Sequence, residues 1–305
     1  MRNAFAALAV AAAGLVVPNP PIHAQELDPR AYSNAPVGLN FLITGYVHSE
    51  GAVVVDPTIP LTNANIRIHN GVFAYARSFE AWGRSAKFDI GMARVDLSGT
   101  AELNGQMVER QVTGWADPRL RVSINLLGAP ALSLREMPSW RQDLIVGASL
   151  YVWAPVGQYD IDRLVNIGTN RWAVKPELGV SKAAGRWVFE IAAAVTLYGD
   201  NDQYLVTQTR EQDPVYSIQG STIYNFHNGA WLALSGTWYE GGRTTVDGVR
   251  GSNLQSNSRV GLALTLPVNR HNSVKLYAST GVFTRTGTDF DLAGIAWQYR
   301  WGGGL

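Results

Sequence analysis

The 305-residue chain sets 25 Lys and Arg against 24 Asp and Glu, too even a balance for a nucleic-acid surface, which needs a basic face or stripe. It has no cysteine, which excludes disulfides, thiolate metal sites and a lipidated cysteine anchor. Charged residues are only 16% of the chain, which holds 31 Gly, 10 Trp and 12 Tyr; low charge with many interfacial aromatics suits a membrane β-barrel.

Met1-Arg2-Asn3, an apolar run from Ala4 to Val17, three prolines and a small residue at Ala24 read as a signal peptide over residues 1–24, cut before Gln25. The run is too short and alanine-rich for a spanning helix. Removing it takes away Arg2 and no carboxylate, so the exported chain is formally neutral. Residues 25–36 hold Pro29 and Pro36 and are expected to form an irregular lead-in, because proline lacks the donor that pairing needs. Residues 37–305 are expected to be the barrel.

Strands are expected at Val37–Ser49, Ile66–Phe79 and Ser85–Leu97, with 50–63 and 98–114 as long loops punctuated by glycine, proline and polar residues. The fourth, Trp115–Leu127, has the cleanest pattern. Leu120, Val122, Ile124 and Leu126 alternate with Arg119, Arg121, Ser123 and Asn125, so one face is aliphatic and the other polar. After a longer connection with a short helical turn comes Asp143–Val156, then a loop over 157–170. The sixth strand alternates Trp172, Val174, Pro176, Leu178 and Val180 with Arg171, Ala173, Lys175, Glu177 and Ser181; Pro176 marks a bulge or distorted pairing.

Trp187–Tyr198 is expected as the seventh strand, followed by a loop over 199–213. Pro214–Phe226 and Ala230–Tyr239 meet at Asn228-Gly229, a hairpin signal. A loop over 240–257 leads to Ser258–Val268, Ser273–Arg285 and Asp289–Trp301. Short turns at 80–84, 182–186, 227–229 and 269–272 alternate with the long connections, as in outer-membrane barrels. Segments of about ten to fourteen residues can cross a bilayer at the usual tilt. The expected fold is all-β: a transmembrane antiparallel up-and-down barrel of about twelve strands.

Several motifs then resemble a known family: Pro29-Arg30-Ala31-Tyr32-Ser33-Asn34-Ala35-Pro36-Val37-Gly38-Leu39-Asn40-Phe41, Asp117-Pro118-Arg119 with Gly128-Ala129-Pro130-Ala131-Leu132, Gly168-Thr169-Asn170-Arg171-Trp172 with Lys175-Pro176-Glu177, and Gly242-Arg243-Thr244-Thr245. Together they are similar to the MetA-pathway-of-phenol-degradation proteins of Gram-negative outer membranes. The resemblance spans essentially the whole exported chain. It implies a barrel and, loosely, passage of aromatic or other hydrophobic compounds. The chain departs from the general outer-membrane pattern at its end, where Gly302-Gly303-Gly304-Leu305 follows the terminal aromatic Trp301.

If the aliphatic faces meet lipid, Arg119, Arg121, Lys175, Glu177, Glu190 and Arg300 point into the lumen. Arg or Lys on the lipid face would cost about 2–4 kcal/mol at mid-membrane, which forces that assignment. These groups would form either a wall-stiffening ion-pair network or a charged constriction acting on solutes. Trp172, Trp187, Trp297, Tyr299 and Trp301 are candidates for the aromatic belt. No metal, cofactor or catalytic site is expected: the histidines show no metal-ligand spacing, no Gly-x-Ser-x-Gly occurs, and Asp200-Asn201-Asp202 reads as an exposed turn. The expected function is an outer-membrane channel for small solutes, with lipid and the barrel-assembly machinery as partners. The alternative is a non-transporting barrel, either a surface structural or adhesive protein or a lipid-modifying enzyme.

Overall fold

A computed structural model describes residues 28–54, 61–103 and 105–305. The expected signal peptide lies outside these residues. The chain runs β1 (Leu39–Val54), β2 (Leu61–Ala81), β3 (Arg84–Leu103), β4 (Gln106–Trp115) and β5 (Arg119–Leu127). After a 3-10 turn at Met137–Ser139 come β6 (Leu144–Trp153), β7 (Ala173–Ala184) and β8 (Trp187–Tyr198). β9 (Asn201–Tyr204) and β10 (Gln208–Gln212) precede β11 (Val215–Asn225) and β12 (Trp231–Gly241). β13 (Thr244–Val246) and β14 (Val249–Arg250) lead to β15 (Gln255–Pro267), β16 (Asn272–Thr284) and β17 (Gly287–Gly302).

Sequential antiparallel neighbours close into a 12-strand barrel. Closure comes from β1 and β17, paired from Leu39↔Gly302 to Val54↔Gly287. This abolishes the sheet edges that lipid could not solvate. β4 and β5 act as one interrupted stave, since β3 pairs with Trp115 through Arg94 and with Arg119 through Gly91. On β7 the ladder to β8 skips Lys175 and Pro176, because proline has no N–H to donate.

The outer surface follows the period-two pattern. Val122, Leu150, Leu178, Ile191, Leu234, Leu262 and Ile295 are exposed there, while their strand neighbours turn inward. Leu262 pairs with Leu234 in the middle of this band. Leu262→Arg should therefore cost about 2–4 kcal/mol of folding stability in lipid. Urea titration of the barrel refolded into vesicles checks this, and an unchanged midpoint would mean that this face does not meet the bilayer.

The structure corrects several expectations. Residues 98–114 are not a loop, because β3 and β4 pair out to Leu103↔Gln106 across a tight connection. They read as loop because the hairpin projects beyond the apolar band, where both faces are polar. Likewise β1 and β2 extend through much of 50–63. The connections 199–213 and 240–257 supply β9, β10, β13 and β14, which form a separate four-stranded sheet at that end. Asn201 and Asp202 belong to β9, and Asn201 is buried, so this is no exposed turn. Arg171 and Trp172 precede β7 rather than opening it.

In β1 the aliphatic row is inside. Leu39, Phe41, Ile43 and Val47 are buried with Val72, Ala74, Ala76 and Ala296, whereas Leu42 and Tyr46 face out. The terminal glycines explain the departure at the chain end. Gly302, Gly303 and Gly304 all have positive φ, a conformation glycine adopts without strain, and Leu305 folds back against the Leu39 cluster.

Candidate functional site

The lead-in is not a bystander: residues 28–36 are buried inside the barrel at its short-turn end. Asp28 Oδ2 takes Arg121 Nη1 at 2.5 Å, and its backbone N–H donates to Gln219 Oε1. The Arg30 N–H donates to Glu190 Oε2 at 2.6 Å, and its guanidinium donates to Asn225 Oδ1 and lies over the Trp231 ring. Lys87 Nζ donates to the carbonyls of Ala31 and Ser33 at 2.7 and 3.1 Å. Ser78 Oγ donates to the Pro36 carbonyl and accepts from the Leu39 N–H. With two prolines the segment cannot join a ladder, so barrel side chains meet its backbone needs.

Tyr32 is the anchor of this plug. Its hydroxyl donates to Glu177 Oε1 at 2.9 Å, and its ring lies across Gly147 and Gly179, which are direct partners on β6 and β7. A Cβ at Gly147 would sit 2.2 Å from the ring, and one at Gly179 2.0 Å. Only glycine permits so close an approach.

Four of the six expected lumen residues converge on one network. Asp89 on β3 accepts from Arg121 Nε at 2.6 Å and from Arg119 Nη2 at 3.1 Å. Lys175 lies 3.5 Å from Glu177 and 4.0 Å from the centre of the Tyr151 ring. Tyr151 OH donates to Glu177 and accepts from Arg121, so it joins the two ion-pair groups. Glu190 stands beside them, held by Ser181 and the Arg30 N–H. Arg300 is placed elsewhere. It lies on β17, where Nε donates to the Arg270 carbonyl in the short turn. The expected belt residues Trp172, Trp187, Trp297, Tyr299 and Trp301 are all exposed outward. Trp297, Tyr299 and Trp301 stack in sequence at the short-turn end, and Trp187 packs on Tyr224 there.

Sequence reasoning missed Asp28, Tyr32, Lys87, Asp89 and Tyr151. The signal for Asp89 was available: Lys87 and Asp89 alternate with Phe88 and Ile90, the same two-faced pattern as Arg119–Leu126. Tyr32 stood within the family-like stretch Pro29–Phe41, but an aperiodic segment does not announce what it touches.

Between plug and wall lies a cavity of about 10 Å³, lined by Asp28, Tyr32, Tyr151, Lys175, Glu177 and Glu190 among others, which is room for roughly one water. Above it Tyr151, Trp153 and Tyr198 cluster with Ala173, and Tyr198 also meets Tyr239 and Val215. At the far end the connection 154–172 folds inward. Asp117, at the break between β4 and β5, accepts from the Gly157 and Thr169 N–H groups and the Thr169 hydroxyl, each at 2.8 Å. Ile167 then reaches a cluster with Val95, Val112 and Phe290.

Residues 47–300 match the model of the family described as "Putative MetA-pathway of phenol degradation". No curated protein matches the chain. Among solved structures, an outer membrane channel from Pseudomonas putida F1 (COG4313) is similar with a TM-score of 0.77 at 19% identity, covering 90% of this chain and 100% of that one. The transport unit of the autotransporter AIDA-I from Escherichia coli gives a TM-score of 0.50 at 8% identity, covering 90% and 92%. At these identities the likeness concerns the fold, which is that of outer-membrane β-barrels.

Proposed function

The chain belongs to the family described as putative MetA-pathway of phenol degradation, and from that footing we propose that it is an outer-membrane channel for small aromatic or hydrophobic solutes, closed by its own N-terminal segment. The observation that carries this reading is how the plug is held. Asp28, Arg30 and Tyr32 engage Arg121, Glu190 and Glu177, polar contacts that water can replace. Above the plug lie the rings of Tyr151, Trp153 and Tyr198, the first two buried while the segment is in place; once it leaves, such rings suit an aromatic solute. Outside, Trp172 at one end and Trp187, Trp297, Tyr299 and Trp301 at the other would anchor the barrel at the two lipid–water boundaries. The name of the Pseudomonas putida neighbour, an outer membrane channel, accords with this reading.

A closed, non-transporting barrel is the second reading, favoured by the single-water gap beside Tyr32. Uptake into vesicles holding the refolded barrel separates the two. Benzoate is expected to enter several-fold faster than a sugar of similar size. Equal entry would make the barrel a general pore, and no entry of either would establish the closed reading.

A further inference from the structure

Arg171 sits two residues before β7, where the inward connection 154–172 ends. Asn170 and Thr169 fix its backbone: Asn170 Nδ2 donates to Asn201 Oδ1, and Thr169 is clamped by Asp117. Its side chain is buried. The guanidinium lies 4.7 Å over the Tyr198 ring, and Nη2 donates to Gln212 Oε1. Nη1 is buried and has no hydrogen-bond partner among the described residues.

Its company differs from that of the network arginines. Arg119 and Arg121 share Asp89, whereas no described carboxylate lies within ion-pair distance of Arg171. Asp200 bears on it electrostatically but is exposed. Its other charged neighbour is Arg210, half-buried, with its own guanidinium 5.3 Å over the Tyr204 ring. Burial and then Arg210 draw Arg171 down to about 10, so it stays cationic at neutral pH. A buried cation beside a like charge is costly unless an anion meets it.

We propose that Arg171 and Arg210 form an anion-recognition site at the cell-surface mouth, which takes the carboxylate of a small aromatic acid while the rings of Tyr198 and Tyr204 contact its ring. The inference deepens the channel reading and rests on it for its biological sense. The guanidinium fork fits a carboxylate in two-point contact, which a lone ammonium cannot do. Tyr198 also belongs to the aromatic row that leads down to Tyr151, so an acid captured at the mouth would face the lumen.

The test is equilibrium binding of benzoate, acetate and benzyl alcohol to the full-length barrel in nanodiscs, which requires no transport. Benzoate should bind roughly tenfold or more tightly than either fragment, and Arg171→Gln should weaken it by a similar factor, with Arg171→Lys retaining part of the affinity. Should Arg171→Gln fail to fold, Arg210→Gln at its half-buried position carries the same expectation. Unchanged benzoate affinity in the Gln variant, or equal affinity for benzoate and acetate, overturns the site. A barrel that binds benzoate through Arg171 yet never conducts it would keep the site and sink the channel. One that conducts it regardless of Arg171 would do the reverse.

Discussion

Gly179→Val is expected to expel the N-terminal segment and raise solute flux roughly ten- to hundredfold. A β-carbon there would lie 2.0 Å from the Tyr32 ring. The ring has little room to shift, because it already lies close against the backbone of the facing Gly147, where a Cβ would be 2.2 Å from it. Overpacking of this kind costs about 1–3 kcal/mol, which is roughly a five- to 150-fold change in an equilibrium. The plug bears the cost because it is held by separate hydrogen bonds, ion pairs and a small apolar cluster of Ala31 with Ala129 and Ile145, whereas the barrel wall is held by continuous ladders. Gly220→Ala is the control, since a Cβ there would meet only the Glu190 carbonyl at 4.0 Å, and it should leave flux unchanged. Flux in Gly179→Val equal to that of the parent chain would mean that the segment does not control passage.

Asp89→Ala should destabilise the barrel by about 3–5 kcal/mol, the cost of leaving buried charge unpaired. Asp89 is 4% exposed and is the shared acceptor for Arg119 and Arg121, themselves 1% and 0% exposed. With it gone, Asp28 on the plug becomes the carboxylate left to Arg121. The loss should therefore be larger still in a chain that also lacks residues 28–36. Urea unfolding in lipid vesicles reads both values. Asp89→Asn, which keeps the shape and drops the charge, should remain close to Asp89→Ala; full stability in Asp89→Asn would show that hydrogen-bond geometry rather than charge holds the wall.

The barrel was legible where one strand face is aliphatic and the other polar. Arg119–Leu127 and Trp187–Tyr198 announce their orientation, because an arginine or glutamate cannot face lipid cheaply, although the break that separates Trp115 from Arg119 was not legible. β1 shows where that reasoning stops. Leu39, Phe41, Ile43 and Val47 form the more apolar row and Asn40, Leu42, Thr44, Tyr46 and His48 the more polar one, yet the apolar row is the buried one, so period two separates the faces while their polarity points the wrong way. The tall β3–β4 hairpin was read as loop for a related reason, since a strand above the bilayer is wetted on both faces and loses its alternation. The plug was least legible of all. Its contacts span the chain, with 93 positions between Asp28 and Arg121 and 145 between Tyr32 and Glu177, and nothing local in an aperiodic, proline-bearing segment points to them. Five of the six lumen candidates were found on the plug-facing wall or beside it; the residues they grip were not.

The lumen arginines acquire a different meaning from this. A charged constriction would offer free guanidinium groups to solutes, whereas Arg119 and Arg121 are committed to Asp89 and Asp28. In the present account their first task is to hold the wall and the plug. In the proposed anion site it is Arg171, with no described carboxylate within ion-pair distance, that meets a solute.

Planar-bilayer conductance of the full chain, recorded beside a chain lacking residues 28–36, tests the central claim most directly. The account expects small, rare openings in the full chain and a steady, larger conductance once the segment is removed. Equal conductance in the two, with both barrels shown to be folded, would contradict it.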